Sequence, residues 1–244
     1  MIVALAPLAV SGLVLGSLLP VAARRLLGDS TRFARQIGCA HCGDRGAWHE
    51  ASPTVRYAAR CGRCRSCAHR LPLAGTLAEL ATAALVVGCV AAFGLSARAL
   101  VAAAFCTVLV LIAAIDIERR IVPNRIVIPA ALAVLAAQTA LQPGLQWLLA
   151  ALGAAALLLV LALVNPGGMG MGDVKLALLI GAGLGRAVPL ALILGFVAAI
   201  VPALVLVARH GRAVRGKGIA FAPYLAFGAI ATLFLEATLL RPGA

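Results

Sequence analysis

Charged residues are scarce in this sequence, and acidic residues are the scarcest of them. Only 12% of the residues are charged, 63% are hydrophobic, and Asp and Glu together number eight. A soluble domain has about 45–50% apolar and about 25% charged residues. Because a core of this size could not bury so much apolar surface, the composition excludes a soluble fold and predicts an integral membrane protein.

Basic residues are missing where a secretory signal would need them. A signal peptide has a basic region before its apolar run, but here no charge precedes Arg24. Residues 1–22 are therefore predicted to be a retained first transmembrane helix. Eight apolar runs approach the length of about 17–25 residues that a span needs, so the expected fold is an all-α, polytopic membrane helical bundle of about eight helices. The runs are 1–22, 73–95, 99–115, 126–141, 145–164, 174–186, 188–208 and 219–240, of which 126–141 and 174–186 are short.

The basic residues outnumber the acidic ones by 21 to eight, which in a soluble protein would suggest nucleic-acid binding. Here they lie in short segments between apolar runs. If the loop 23–72 is cytoplasmic, 18 of the 21 basic residues fall on the cytoplasmic side, as expected for a membrane protein. The pattern predicts a lipid bilayer as partner and no nucleic acid, and it leaves the oligomeric state open. It divides the chain into a first helix at 1–22, a cytoplasmic Cys-rich loop at 23–72 and a transmembrane core at 73–244.

Two of the few acidic residues lie at the edges of apolar runs. Asp116 ends one run, and Asp173 opens another directly after Gly170 and Gly172. An ionisable residue at membrane depth is a functional hypothesis by default, and the predicted topology brings both to the cytoplasmic end of a span. Two close carboxylates do not both ionise easily. The ionised one can take a proton from water while the protonated one polarises a carbonyl, which suits peptide hydrolysis. The two glycines would let the backbone approach a substrate or another helix closely.

Each aspartate taken alone also has a purely structural interpretation, because a carboxylate at a helix end is often a cap or an interfacial residue. Glu118 is expected to be solvated, and the roles of Glu79 and Glu236 are left open. The main functional alternative is a transporter or channel that binds protons or cations at Asp116 and Asp173. A membrane scaffold is the third possibility.

Four segments together resemble the type IV prepilin leader peptidases, a family of GxGD-type intramembrane aspartyl proteases. The resemblance rests on their order as well as on their residues, and it runs from the first span to the last. The segments are the first span with Gly12, Gly16 and Ser17, residues 114–124 (AIDIERRIVPN), residues 170–176 (GMGDVKL) and residues 219–228 (IAFAPYLAFG).

This resemblance implies an eight-span enzyme of the bacterial inner membrane. Such enzymes remove short basic leaders from prepilins or pseudopilins at the cytoplasmic face. By position, Asp116 and Asp173 would be the catalytic pair, Gly170 and Gly172 the motif backbone, and 73–244 the protease core. Many members also methylate the new N-terminus with S-adenosylmethionine. Three positions depart from the family pattern: Gly75 stands where a Glu is usual, Ala220 where a Pro is usual, and Ala222 where a Gly is usual.

Five of the seven cysteines crowd the polar loop, and Cys89 and Cys106 lie alone in apolar runs. Two CxxC pairs can supply four thiolates to a tetrahedral structural zinc site, and a cytoplasmic loop argues against disulfides. The usual spacing of about 15–20 intervening residues slightly favours Cys61 and Cys64 as the second pair. The family resemblance instead selects Cys64 and Cys67, with Cys61, His41 and His69 as substitute ligands. The alternative is a set of reduced thiols without metal. The predicted ligands are Cys39, Cys42, Cys64 and Cys67.

Overall fold

The structure is a computed structural model that describes residues 2–27, 39, 42, 52–71, 73–164, 169–210 and 220–239. Among these residues it contains nine α-helices and one isolated β-bridge. Residues 165–168, at the predicted end of a helix, lie outside the described residues, as do His41 and most of the basic segment 209–218. The helices are α1 (Ile2–Leu27), α2 (Pro53–Ala59), α3 (Leu73–Phe93), α4 (Ala97–Arg119), α5 (Asn124–Leu141), α6 (Gln146–Val164), α7 (Met171–Leu184), α8 (Val188–His210) and α9 (Ala222–Leu239).

The long helices follow the predicted spans along the chain, which confirms an all-α, polytopic membrane architecture. By length and composition, six helical stretches of the described chain could cross a bilayer. One of them, Met171–Val205, contains α7, a short 3-10 helix at Gly185–Ala187 and most of α8. α1 contributes the shorter apolar stretch Ala9–Ala23. Helical backbone is expected here because lipid offers no partner for an open peptide group.

The fourth helix is longer than its predicted span, which ended at residue 115. α4 begins at a cap, where the Ser96 hydroxyl accepts the Ala99 N–H at 3.2 Å. It ends where Arg120 adopts left-handed backbone with φ 55°. The prediction stopped at the first charged residue, but a polar side chain does not end a helix if it finds a partner. Asp116 therefore lies inside the last turn of α4.

The described chain divides into two units, residues 1–91 and 92–244. In the first unit, α1 packs closely against α3 through two glycines. A Cβ at Gly12 would lie 2.6 Å from Ala83 Cα, and one at Gly16 would lie 2.7 Å from Glu79 Cα. Small residues of this kind let two membrane helices approach backbone to backbone.

Glu79 is the fully buried acidic residue of this unit, on α3. Its Oε1 accepts the Ser52 hydroxyl at 2.6 Å, and its Oε2 accepts the Thr54 N–H at 2.8 Å. Ser52 is itself the N-cap of α2. The carboxylate therefore ties the start of α2 to α3, and its two partners offset the cost of burying it.

In the second unit, α6 packs on α7, α8 on α9, and α4 on both α5 and α9. Glycines set the closest approaches. A Cβ at Gly181 would lie 2.5 Å from Ala150 O, and one at Gly228 would overlap Ala191 O of α8. The Gln138 amide also donates to Gly183 O at 3.0 Å and links α5 to α7. This packing fixes the helix ends that carry the site described next.

Candidate active site

Asp116 lies in the last turn of α4 and is 4% exposed. Its Oδ2 accepts the backbone N–H of Ala222, the first residue of α9, at 3.0 Å. A backbone hydrogen bond from Phe221 and the positive charge of Arg120 also stabilise the ionised form of this carboxylate. The first N–H groups of a helix have no partner within the helix. The N-terminus of α9 therefore supplies a donor that orients the Asp116 side chain.

Asp173 lies in the first turn of α7 and is 8% exposed. Its Oδ2 accepts the backbone N–H of Gly170 at 3.3 Å, and its own N–H donates to Gly170 O at 3.0 Å. This reciprocal pair holds the turn that precedes α7. The motif thus places the carboxylate at a helix start, where the helix dipole favours negative charge.

The structure brings the two aspartates close enough to interact electrostatically. Both also make hydrogen bonds to helix-end backbone, which is the structural interpretation that each allows when taken alone. Capping does not require burial, however, and cap residues usually remain solvated. Two buried carboxylates that interact electrostatically resemble the paired acids in which one carboxyl group is protonated and the other is ionised.

The two motif glycines differ in their surroundings. A Cβ at Gly172 would lie 2.9 Å from Val122 Cβ, so the bare backbone of α7 packs directly on the loop that follows α4. A Cβ at Gly170 would lie 3.7 Å from Asp173 Oδ2, which is ordinary contact. Gly172 is therefore the one whose lack of a side chain allows a close approach beside Asp173.

Sequence reasoning missed three contributions to this site. The Ala222 amide orients Asp116, and Val122 packs on Gly172. Lys175 donates to Asn124 Oδ1 at 2.8 Å and joins the start of α7 to the start of α5. All three lie in segments that carry the family resemblance, which is the signal that could have found them.

The four predicted metal ligands come together in the first unit. The sulfurs of Cys39, Cys42, Cys64 and Cys67 all lie within 4.8 Å of one another. The distances from Cys39 to Cys67 and from Cys42 to Cys64 are both 3.6 Å. Tetrahedral zinc with Zn–S bonds of about 2.3 Å separates its sulfurs by about 3.8 Å. The cluster can therefore hold a metal ion.

The two substitute ligands that the structure describes, Cys61 and His69, lie outside this cluster. Cys61 is exposed, has φ 46° and does not belong to the group, and neither does His69. A backbone hydrogen bond from His69 lowers the pKa of the Cys67 thiol, but desolvation and the three other cysteines raise it, so that the pKa is about 12. Ligand thiols must be deprotonated, and a cation is what would stabilise four thiolates at this spacing.

Comparisons with known proteins identify relatives of this chain. Residues 103–204 match the model of the Type IV leader peptidase family, and residues 10–93 match that of the Bacterial Peptidase A24 N-terminal domain. The chain is 34% identical over 224 residues to a Bacillus subtilis protein named "Prepilin leader peptidase/N-methyltransferase", covering 90% of this chain and 89% of that protein.

A Burkholderia pseudomallei protein of the same name is 36% identical over 206 residues, which is 80% of this chain and 66% of that protein. A Myxococcus xanthus protein, again of that name, is 32% identical over 124 residues, or 51% of this chain and 37% of that protein. The comparison with solved structures gave no significant match. With one matched region that spans the cysteine cluster and another that spans both aspartates, the chain belongs to the type IV leader peptidase family.

Proposed function

We propose that this protein is a membrane aspartyl endopeptidase that removes the basic leader from prepilins or pseudopilins. The observation that carries the proposal is the pair Asp116 and Asp173, two buried carboxylates on α4 and α7 that interact electrostatically. The names of its relatives support the substrate class. The transporter alternative has no support from the family or from these relatives.

In the proposed reaction one carboxyl group is ionised and the other protonated. The ionised group takes a proton from water as the water oxygen attacks the scissile carbonyl carbon. The protonated group donates its proton to the carbonyl oxygen, which gives a neutral gem-diol. When the C–N bond breaks, the carboxyl group that took the proton from water gives it to the leaving nitrogen, and the other carboxylate takes a proton from a gem-diol hydroxyl. This leaves a carboxylic acid product and returns the pair to its starting state. No covalent intermediate forms, and Ala222 holds Asp116 in place throughout.

The side of the membrane follows from the chain direction. Asp116 lies at the C-terminal end of α4 and Asp173 at the N-terminal end of α7, both within the proposed protease core 73–244. The flanking Arg119, Arg120 and Lys175 mark these ends as cytoplasmic under the positive-inside rule. The site would therefore meet a leader that has not left the cytoplasm, in the inner membrane of a bacterium.

The cysteine cluster is assigned to a structural zinc ion. The four sulfurs have the number and the spacing of a closed tetrahedral site, with no position left for a substrate. Two of the ligands, Cys64 and Cys67, follow α2 in the chain. Among the described residues the buried apolar cluster here consists of Cys39, Cys64 and Leu71, two of which are ligands themselves, so a bound ion would add a cross-link to this small cluster.

N-methylation of the cleaved product is the second candidate activity. The relatives' name joins it to the peptidase, and S-adenosylmethionine would supply the methyl group. The chain has Gly75 where the family usually has a Glu, and the carboxylate one turn later, Glu79, already binds Ser52 and Thr54. The mass of the cleaved product distinguishes the two activities, because methylation adds one methyl group to the new N-terminus.

The test is co-expression with a tagged prepilin in a host that lacks its own leader peptidase. Asp116→Asn and Asp173→Asn are each expected to lower the cleavage rate by at least about 10²–10⁴-fold, because each removes a group that transfers a proton. Glu118→Gln is the matched control, since it removes a negative charge from the same end of α4. Full cleavage by either Asn variant at equal membrane levels would refute the carboxylate pair.

A further inference from the structure

Two arginines face each other across the isolated β-bridge of the Cys-rich segment. Arg63 and Arg70 are its paired residues, and the strands run antiparallel. The flanking hydrogen bonds run from Cys64 N–H to His69 O and from Leu71 N–H to Gly62 O, both at 2.8 Å. Arg63 and Arg70 are thus a non-hydrogen-bonded pair, the type in which opposed side chains lie closest. Their Cβ atoms are about 4.5–5.5 Å apart in such a pair.

The two faces of this bridge differ sharply. Cys64 and Leu71 are buried and belong to the small core that contains the cysteine cluster. Because successive side chains point to opposite faces of an extended strand, Arg63 and Arg70 project away from that core. Both are exposed. The backbone therefore presents two guanidinium groups side by side on one solvent-facing surface.

Such a pair is unfavourable without an anion, because like charges directly opposite each other destabilise an antiparallel pair. Among the residues that the structure describes, neither arginine side chain has a hydrogen bond or ion pair, and the hydrogen bond from Arg63 N–H to Arg60 O involves only the backbone. Residues 52–71 contain no acidic residue, and Arg65 adds a third exposed positive charge. A guanidinium binds phosphate oxygens through two parallel N–H groups. Two of them at this spacing form a site suited to one phosphate group.

The position of the pair along the chain indicates which phosphate. Arg70 lies three residues before Leu73, where the apolar span α3 begins. Three extended residues reach at most about 10 Å, while the headgroup layer is about 5–7 Å thick on each side of the hydrocarbon core. Arg70 therefore lies within about 10 Å of Leu73, close enough for the long arginine side chains to reach the headgroup layer. Leu73 and Leu77 at the start of α3 are exposed. A basic prepilin leader would be repelled from the same surface.

We propose that Arg63 and Arg70 bind the phosphate of an anionic phospholipid headgroup beside the N-terminal end of α3. This inference does not depend on the proteolytic function. The cysteine cluster keeps Arg63 and Arg70 opposite each other, because Cys64 and Leu71 anchor the other face of the same two segments.

The test uses the purified, metal-loaded full chain in micelles of an uncharged detergent. Phosphatidylglycerol and phosphatidylcholine with identical acyl chains are titrated, and apparent Kd values are measured. Arg63→Gln/Arg70→Gln is expected to weaken phosphatidylglycerol binding by about 25-fold, the product of two roughly fivefold contributions. The matched control is Arg98→Gln/Arg186→Gln, which removes two exposed charges that the predicted topology puts on the other side of the membrane. It should retain the wild-type affinity.

Two further measurements keep the proposal open to refutation. In detergent alone, Arg63→Gln/Arg70→Gln should unfold at the same temperature as the wild type or higher, because a repulsive pair is removed. A lower unfolding temperature would show that the pair binds a protein carboxylate instead. Equal loss of phosphatidylglycerol affinity in both double variants would overturn the proposal. Full displacement of phosphatidylglycerol by inorganic phosphate would also overturn it. So would an unchanged phosphatidylglycerol affinity of Arg63→Gln/Arg70→Gln together with a raised KM for prepilin.

Discussion

Replacing Ala222 with proline should slow catalysis without unfolding the protein. The Ala222 N–H donates to Asp116 Oδ2 at 3.0 Å, and proline has no N–H to donate. Ala222 is the first residue of α9, and proline is favourable at that helix position because the missing N–H has no partner within the helix. Phe221 then precedes a proline, which favours the extended backbone usual at an N-cap. The substitution removes one donor from the site and, because Ala222 is fully buried, also adds the bulk of the proline ring there.

The magnitude follows from the kind of hydrogen bond that is lost. A hydrogen bond to a charged group contributes about 1.5–3 kcal/mol, and about 1.4 kcal/mol corresponds to a tenfold change in rate. We therefore expect kcat to fall by about 10- to 100-fold. Because the amide contacts Asp116 rather than the substrate, KM should change by less than about threefold.

The assay is steady-state cleavage of a purified prepilin by enzyme in lipid nanodiscs, with thermal unfolding measured on the same samples. Ala222→Val keeps the amide and adds two carbon atoms, as proline does, so it is the control for the added volume and should lose far less activity than Ala222→Pro. If Ala222→Pro keeps kcat within threefold of the wild type, the amide does not hold the catalytic carboxylate. A matching fall in kcat for both variants would refute the reasoning equally.

Three other perturbations have defined outcomes. Glu79→Ala should lower the free energy of unfolding by about 2–4 kcal/mol, because it leaves buried donors without an acceptor, whereas Glu79→Gln should recover part of the loss in thermal unfolding. Gly172→Ala should slow cleavage because its Cβ would lie 2.9 Å from Val122 Cβ, and Val122→Ala should partly rescue it in a double-mutant cycle. Elemental analysis should find one zinc per wild-type chain, retained in Cys61→Ser and lost in Cys64→Ser, and chelation should lower the unfolding temperature of the wild type; unchanged stability after chelation would contradict a structural role.

Much of the fold was predictable because lipid imposes a simple rule. A run of apolar residues long enough to cross the membrane must be helical, and the predicted spans match the helices to within a few residues even for the short α7. The predicted end of α4 was too early, because the helix continues past Asp116 to Arg119. Hydropathy measures the solvent preference of a side chain, whereas the end of α4 depends on the backbone of Arg120.

The candidate site was only partly predictable. Asp116 and Asp173 stood out because a carboxylate in an apolar context is rare, and this property is visible in single residues. The Ala222 amide did not stand out, since every residue except proline has the same group and only the packing of α9 against α4 gives it a role. Glu79 remained undecided for a similar reason. Its partners, Ser52 and Thr54, are distant in sequence and belong to a short helix.

The cysteines show how local geometry can override spacing. The number of intervening residues favoured Cys61 with Cys64 as the second pair, but Cys67 joins Cys64 in the cluster, while Cys61, which has left-handed backbone like Gly62, stays exposed. A spacing rule measures contour length along the chain. It carries no information about the direction in which a side chain leaves the backbone.

Val122 acts as a rigid spacer between the end of α4 and the start of α7. It contacts the bare backbone of Gly172, one residue before Asp173, and it belongs to the loop that leaves α4 shortly after Asp116. Packed interiors are nearly incompressible, so a contact of this kind holds two loops apart by a fixed amount where a flexible tether would let them drift. The distance between Asp116 and Asp173 thus depends on the size of the Val122 side chain. In relatives adapted to cold or hot habitats, we expect the size of the side chain at the position of residue 122 to differ while both aspartates are kept.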